Sequence, residues 1–338
     1  MSHSKKIRLA DGTSARSAVW TRLGTDVAGQ NLTAQDAFRT IGQYDVEQVD
    51  LDADYYGHRI PTGHRALFRS PTPDQPLEPD TAIMYGVVGP GYDVVTPHDL
   101  VGLLDATTAN APVSIIGAPR NGGLFFVGYD MPEWDVAGDS VTSRLIVSSP
   151  YSTKGAIMLQ QVALRKVCIN GMMAPVATES FAVAHRGSAL KKLSKFLEGW
   201  WPRTIKRSQE LQQALEFLAS RSCTPTQARQ AVNRLLPVPA APKVTPDTIT
   251  NDKRMQDWHY RVARVEKDRA GIMRLFTGEG QGMDTPAAHW TAFGLYNAVV
   301  EYYDHARELR NADSKAQDAL FGKAANIKMQ AFELAAKL

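Results

Sequence analysis

Between residues 113 and 164 the chain offers four apolar runs of strand length in sequential hairpins, without an intervening long helix. Val113, Ile115 and Ile116 lead into Pro119-Arg120-Asn121-Gly122-Gly123, and Leu124, Phe125, Phe126, Val127 and Tyr129 return. Residues 141–147 and 156–164 form two more runs, with Ser148-Ser149-Pro150 between them. Parallel strands need a crossover of a dozen residues or more, so strands joined this tightly pair antiparallel. Residues 83–95 read as an earlier hairpin around Gly89-Pro90-Gly91. Helices flank these runs. Thr33 with Asp36 starts one that runs to about Gly42, and Thr96-Pro97-His98-Asp99 places a cap, a first-turn proline and an acid ahead of Leu100, Leu103 and Leu104. Between them lie strand pieces at Tyr44, Val46, Val49 and Leu51 and at 66–68, with His58 and His64 in a connecting loop.

Past Leu164 helix formers dominate, apart from a strand candidate at 181–184. Leu190, Leu193, Phe196 and Leu197 recur three and four apart, predicting an amphipathic helix over 188–199 with Lys191, Lys192 and Lys195 on the opposite side. Trp200-Trp201-Pro202 is read as its end. Helices follow over 204–221 and from Thr224 to Leu235, then a proline-rich linker, then helices over 252–276, 285–309 and 313–338. Asp284 and Asp304 read as helix-terminal or surface acids. The expectation is an α+β fold with an antiparallel sheet core and a helical second half. It divides into a flexible arm at 1–30, a core at 31–200, a helical extension at 201–235, a linker at 236–250 and a helical region at 251–338. Order is expected to begin at Thr33.

Composition narrows the function. Cys168 and Cys223 are far apart and form neither a disulfide framework nor a zinc-ligand spacing, as expected in a reducing cytoplasm. No export signal is visible and no apolar run approaches the roughly 18 to 20 residues of a membrane helix. Residues 86–91 lack the Lys-Ser/Thr of a phosphate loop, and no hydrolase or metalloprotease motif is present. The expectation is therefore a protein that is not an enzyme and carries no cofactor and no metal. An enzyme with dispersed residues is the remaining reading.

Charge is distributed unevenly. Residues 31–100 carry eleven acids against four bases, whereas 161–210 carry Arg165, Lys166, Arg186, Lys191, Lys192, Lys195, Arg203, Lys206 and Arg207 against three acids. The second segment attracts a polyanion and the first repels it. Trp200 and Trp201 stand beside the last three bases, so stacking platforms for unpaired bases accompany a phosphate track; Trp200 is read as core and Trp201 as either core or stacking. The plainer reading is a solvated helix face.

Three stretches resemble the phage/plasmid-like protein family. They are Leu164-Arg165-Lys166-Val167-Cys168-Ile169-Asn170-Gly171-Met172; Thr291-Ala292-Phe293-Gly294-Leu295-Tyr296-Asn297-Ala298-Val299-Val300-Glu301-Tyr302-Tyr303-Asp304-His305; and Ala319-Leu320-Phe321-Gly322. Cys168 and Asn170 read as packing and cap residues. The order of helix, hairpins and strands, then a helix beginning near Arg165, is similar to the β-β-β-α core of the single-strand annealing superfamily, which includes phage recombinases and the eukaryotic recombination mediator. That resemblance implies a non-catalytic protein that binds and anneals single-stranded DNA in phage or plasmid recombination, as a ring or filament of its own copies. A phage exonuclease or a host single-strand-binding protein would be further partners, in the cytoplasm of a bacterial host. The DNA-binding residues it implies are Arg165, Lys166, Arg186, Lys191, Lys192, Lys195, Trp201, Arg203, Lys206 and Arg207. The alternative is a structural or regulatory protein of a mobile element that binds a protein partner through its helical half, over residues 296–303.

Overall fold

A computed structural model describes residues 22–72, 82–151, 155–166, 170–173, 181–243, 253–308 and 312–338. Cys168 and residues 1–21 lie outside these, as do residues 244–250 of the expected linker. The fold is α+β, as the sequence predicts. Ten strands and nine α-helices are seen among the described residues. Strands β5 (Ile115–Gly117), β6 (Leu124–Val136), β7 (Asp139–Pro150) and β8 (Ala156–Arg165) form an antiparallel meander, joined at one edge by β1 (Thr25–Asp26). At the other edge β10 (Phe181–Ala184) pairs with 156–159 of β8, and β9 (Asn170–Met173) with 162–165. A second sheet contains β2 (Val46–Tyr55), β3 (His58–Arg69) and β4 (Met84–Val88).

Period-two alternation divides the meander's residues between two faces. On one face Phe125, Val127, Tyr129, Leu145, Val147 and Leu159 pack against α1 (Ala34–Thr40), α2 (Pro97–Thr108) and α3 (Ala189–Leu197). Farther along the strands Trp134, Val136, Val141 and Ala163 meet α4 (Trp200–Ser220), α5 (Pro225–Leu235), α7 (Ala292–Glu301) and α9 (Lys323–Ala335). The opposite face, Ile115, Phe126, Ile146, Val162 and Leu164, is covered by Leu23 and by Ala319, Leu320 and Ala325, from α8 (Ala312–Phe321) and α9.

Local rules account for the helix starts. Thr33 accepts from the Asp36 amide, and Thr96 with Asp99 and Thr224 with Gln227 form reciprocal capping boxes, each with proline in the first turn. Elsewhere packing overrides the local pattern. Order begins before Thr33, because Leu23 and Val27 are buried and β1 pairs with β5. The returning arm expected at 92–95 is not a strand, since Tyr92 bridges to Arg186 and the Asp93 amide donates to the His185 carbonyl. His58 and His64 lie on β3, not in a loop. Among the described residues near Arg165 there is no helix: β8 runs to Arg165 and β9 comes back along it. Trp200 and Trp201 begin α4 instead of ending α3, because Gly199 takes a left-handed φ of 65° that breaks the chain between the helices.

The helix expected over 285–309 starts only after Thr291, whose side chain accepts from the Gly294 amide. The Thr285 hydroxyl is held by Arg165 and Asp139, and Trp290 adopts a φ of 53° that ends the single turn before it. The following helix α7 closes in a π turn at 302–306. The expected last helix is two, α8 and α9, split at Gly322, where a side chain would collide with Asp318. The helix α6 (Lys253–Arg274) matches its expectation and ends in another π turn.

Candidate nucleic-acid interface

The basic surface is built on α3 and the first two turns of α4. Ala189, Leu193 and Leu197 anchor α3 in the core, so the helical period turns Lys191, Lys192 and Lys195 outward. The α3 N-terminus lacks a cap of its own, and the Asp93 carboxylate accepts the Ala189 amide at 2.6 Å. Arg186, exposed just before it, accepts Lys192 Nζ at its carbonyl, 3.0 Å away. Across the Gly199 break, the Arg203 guanidinium donates to the Phe196 carbonyl at 2.9 Å and lies 5.9 Å from that ring's centre. Arg203 and Arg207 together line a narrow cleft over the sheet with Phe196, Trp200, Gln161 and Leu159. Lys206 is exposed on the same helix. Among the described residues Arg186, Lys191, Lys192, Lys195, Arg203 and Lys206 form no ion pair.

The two tryptophans have separate roles. Trp200 is buried in the core cluster, as expected. Trp201 is half-buried, edge-on to Tyr129 at 5.5 Å and to Trp200 at 5.5 Å.

Two predicted site residues do not join this surface. Arg165 is fully buried, because its guanidinium is consumed by Asp139, the Gly282 carbonyl at 2.8 Å and the Thr285 hydroxyl at 2.8 Å. It also lies 5.4 Å from the centre of the Phe293 ring. No phosphate can reach it in this state, so it leaves the track. Lys166 is partly exposed but pairs with Glu133, whose carboxyl that hydrogen bond holds below the usual carboxylate range.

Arg165 instead belongs to a constellation that the sequence reading missed. Asp304, read as a surface acid, is buried; it accepts Lys328 Nζ at 2.9 Å and the Gly171 amide at 2.9 Å. Lys328 Nζ also donates to the Gly171 carbonyl at 3.0 Å, and buried Glu301 accepts the Gln281 amide at 2.9 Å. Two of the three stretches carrying the family resemblance, around Arg165 and around Phe293, therefore meet in space. Their polar groups are sealed and partnered, which suits joining β8 and β9 to α7 and α9 better than chemistry on a ligand. The signal was present in the sequence: Asn297, Glu301 and Asp304 recur at helical spacing in an otherwise apolar helix. All of α7 is buried, so residues 296–303 cannot serve as a docking surface for a protein partner.

A cavity of about 490 Å³ opens on the opposite face of the sheet between Met158, Pro150 and Phe321, but its charged rim is occupied, Arg120 by Gln317 and Asp318 by Arg307. Among the described residues no group of three His, Cys, Asp or Glu is placed to hold a metal ion, and no helix is long and apolar enough to cross a membrane.

No curated protein and no solved structure matches the chain. The sequence model of a family described as a domain of unknown function (DUF932) matches residues 84–321, from the first residue of β4 to the last of α8. The match spans most of the molecule and includes the basic surface and the buried polar constellation except Lys328, and the chain belongs to the DUF932 family.

Proposed function

We propose that this protein binds single-stranded DNA along Arg186, Lys191, Lys192, Lys195, Arg203, Lys206 and Arg207, and promotes annealing of complementary strands without catalysing a covalent step. The observation that carries the reading is that Arg186, Lys191, Lys192, Lys195, Arg203 and Lys206 form no ion pair among the described residues, beside a half-buried Trp201. On the meander itself Arg144, Arg165 and Lys166 are neutralised by Asp130, Asp139 and Glu133. Unpaired cations on one surface attract a phosphate backbone and release its counterions, which supplies affinity regardless of sequence. An aromatic edge at the same place lets an unpaired base stack. A setting in phage or plasmid recombination is the context in which strand annealing by such a protein has use.

The test is fluorescence anisotropy of a labelled oligonucleotide titrated at several salt concentrations. If five of these bases neutralise phosphates, log affinity falls against log salt with a slope near −3.5, from about −0.7 per contact on a single strand. Absence of binding at low salt, or binding indifferent to salt, overturns the reading.

A further inference from the structure

Where β6 begins and β7 ends, alternation turns Leu124, Ser148 and Met158 to the same face of the meander as Phe126, because Ser148 pairs with Phe126 on one side and with Met158 on the other. These residues line the cavity of about 490 Å³, and Phe321, at the end of α8, lines it from the helical side, its ring 6.3 Å from that of Phe126. A volume of a few hundred Å³ with apolar walls is that of a site enclosing a small organic molecule. Ser148 is 2% accessible, and its hydroxyl has no hydrogen-bond partner among the described residues. Native structures rarely leave a buried hydroxyl unsatisfied.

The lip of the cavity is held under strain. Arg120 and Asn121 take left-handed φ values of 57° and 53°, and Gly122 follows at 91°. An arginine enters that region only where its surroundings force it to. Here two tyrosines do so: the Tyr44 hydroxyl donates to the Gly122 carbonyl at 3.0 Å, and the Tyr85 hydroxyl donates to the Asn121 carbonyl at 2.9 Å. The Gly123 amide closes the turn on the Arg120 carbonyl at 3.0 Å. Strain fixed in this way positions a side chain in advance of its ligand. Gln317 engages only Nε of Arg120, at 2.6 Å, so Nη1 and Nη2 have no partner among the described residues. Asp318, the other charged residue lining the cavity, is balanced by Arg307 at 3.0 Å. The uncompensated charge at the lip is therefore positive.

We infer that this cavity binds a small molecule made of a flat ring and an anionic group, the ring between Met158 and Phe321, the anion on the Arg120 guanidinium, and a polar atom of the ring on the Ser148 hydroxyl. A guanidinium fork matches the paired oxygens of a carboxylate or a phosphate. A thioether and a phenyl ring both favour an aromatic neighbour. The site is on the other side of the sheet from the α3 and α4 lysines, so it stands independently of the nucleic-acid reading.

Anilinonaphthalene sulfonate, a flat aromatic anion whose fluorescence rises in apolar surroundings, is the probe for the full-length chain. Saturable binding at one site per chain is expected, with displacement by naphthoate or by naphthyl phosphate; the stronger competitor tells whether the site takes a carboxylate or a phosphate. Arg120→Asn removes the charge with a residue that tolerates the left-handed backbone, and should weaken the probe's affinity about tenfold, as loss of a hydrogen bond to a charged group does. Ala156→Trp fills the cavity from its half-buried rim and should abolish saturable binding. Both variants should keep the parent's circular dichroism, and Lys191→Ala/Lys192→Ala/Lys195→Ala should bind the probe as the parent does. A parent without saturable binding, failure of both competitors, parent-like affinity in a folded Arg120→Asn or Ala156→Trp protein, or loss of the probe in the lysine variant overturns the inference.

Discussion

Lys328 Nζ lies 2.9 Å from the Asp304 carboxylate, and solvent reaches neither side chain. The pair closes around the Gly171 peptide, whose amide and carbonyl each bond one partner, so β9 is held between α7 and α9 by charge as well as by packing. Breaking a buried pair from one side leaves the other charge stranded. Lys328→Met is expected to cost about 3 to 5 kcal/mol in urea denaturation, and adding Asp304→Leu should recover a large part of that loss. Equal stability of parent and single variant would show that the pair is energetically idle.

The split between Arg165 and the α3 lysines predicts different phenotypes for residues that the sequence groups together. Replacing Lys191, Lys192 and Lys195 by Ala should lower the salt slope of oligonucleotide binding by about two units while leaving the denaturation midpoint near the parent's. Arg165→Ala should do the reverse, since it strands Asp139 in the interior and removes nothing from the surface. A lost salt slope in a folded Arg165→Ala protein would return that residue to the binding surface.

Trp200 and Trp201 separate in the same way. Trp200→Ala empties a core position and should cost about 3 to 5 kcal/mol of stability. Trp201→Ala should cost less stability and, where the ring stacks a base, about 1 to 3 kcal/mol of single-strand affinity. Parallel thermal melts and anisotropy titrations read both, and an affinity unchanged in the Trp201 variant would confine that ring to packing against Tyr129.

His185 supplies a pH dependence. It is buried, stacked on Tyr92 at 5.1 Å with Ser149 Oγ 3.4 Å from Nε2, and desolvation pushes its pKa below the ordinary imidazole value. A depressed folded-state value means that the stability is fully present above the unfolded histidine's pKa, about 6.5, and is lost as pH falls through the lower folded value. Urea midpoints of the parent should drop between about pH 7.5 and 5.5, and His185→Gln should show a smaller drop. Identical pH profiles for the two proteins would assign the acid sensitivity elsewhere.

What could be read from the sequence was what is decided within one turn of chain. Thr33, Thr96 and Thr224 start helices because a hydroxyl meets an amide three residues on, and the 124–164 runs become strands because their alternation and short turns permit little else. The amphipathic α3 was legible for the same reason, and with it most of the basic surface. The errors share a cause. Arg165, Asp304 and Thr285 are each polar residues whose local setting suggests water or a cap, and each is captured by a group more than twenty residues away in sequence. Distant partners leave no trace in spacing. Of the β2–β3 ribbon only the pieces at 44–51 and 66–68 were legible, because the acids, Gly57 and Pro61 between them look like a loop and only backbone pairing of 46–55 with 58–69 makes them strands.

The covering of the meander's second face carries a consequence for how the protein is made. Among the described residues, Ile115, Phe126, Ile146, Val162 and Leu164 are sheltered by Leu23 and by Ala319, Leu320 and Ala325, with Phe321 and Met329 beside them, from the corner between α8 and α9. Synthesis delivers that corner long after the strands. A growing chain on the ribosome therefore carries a finished sheet with one bare, adhesive face through most of the remaining translation, and its yield in the cell depends on what shields that face until α8 and α9 emerge.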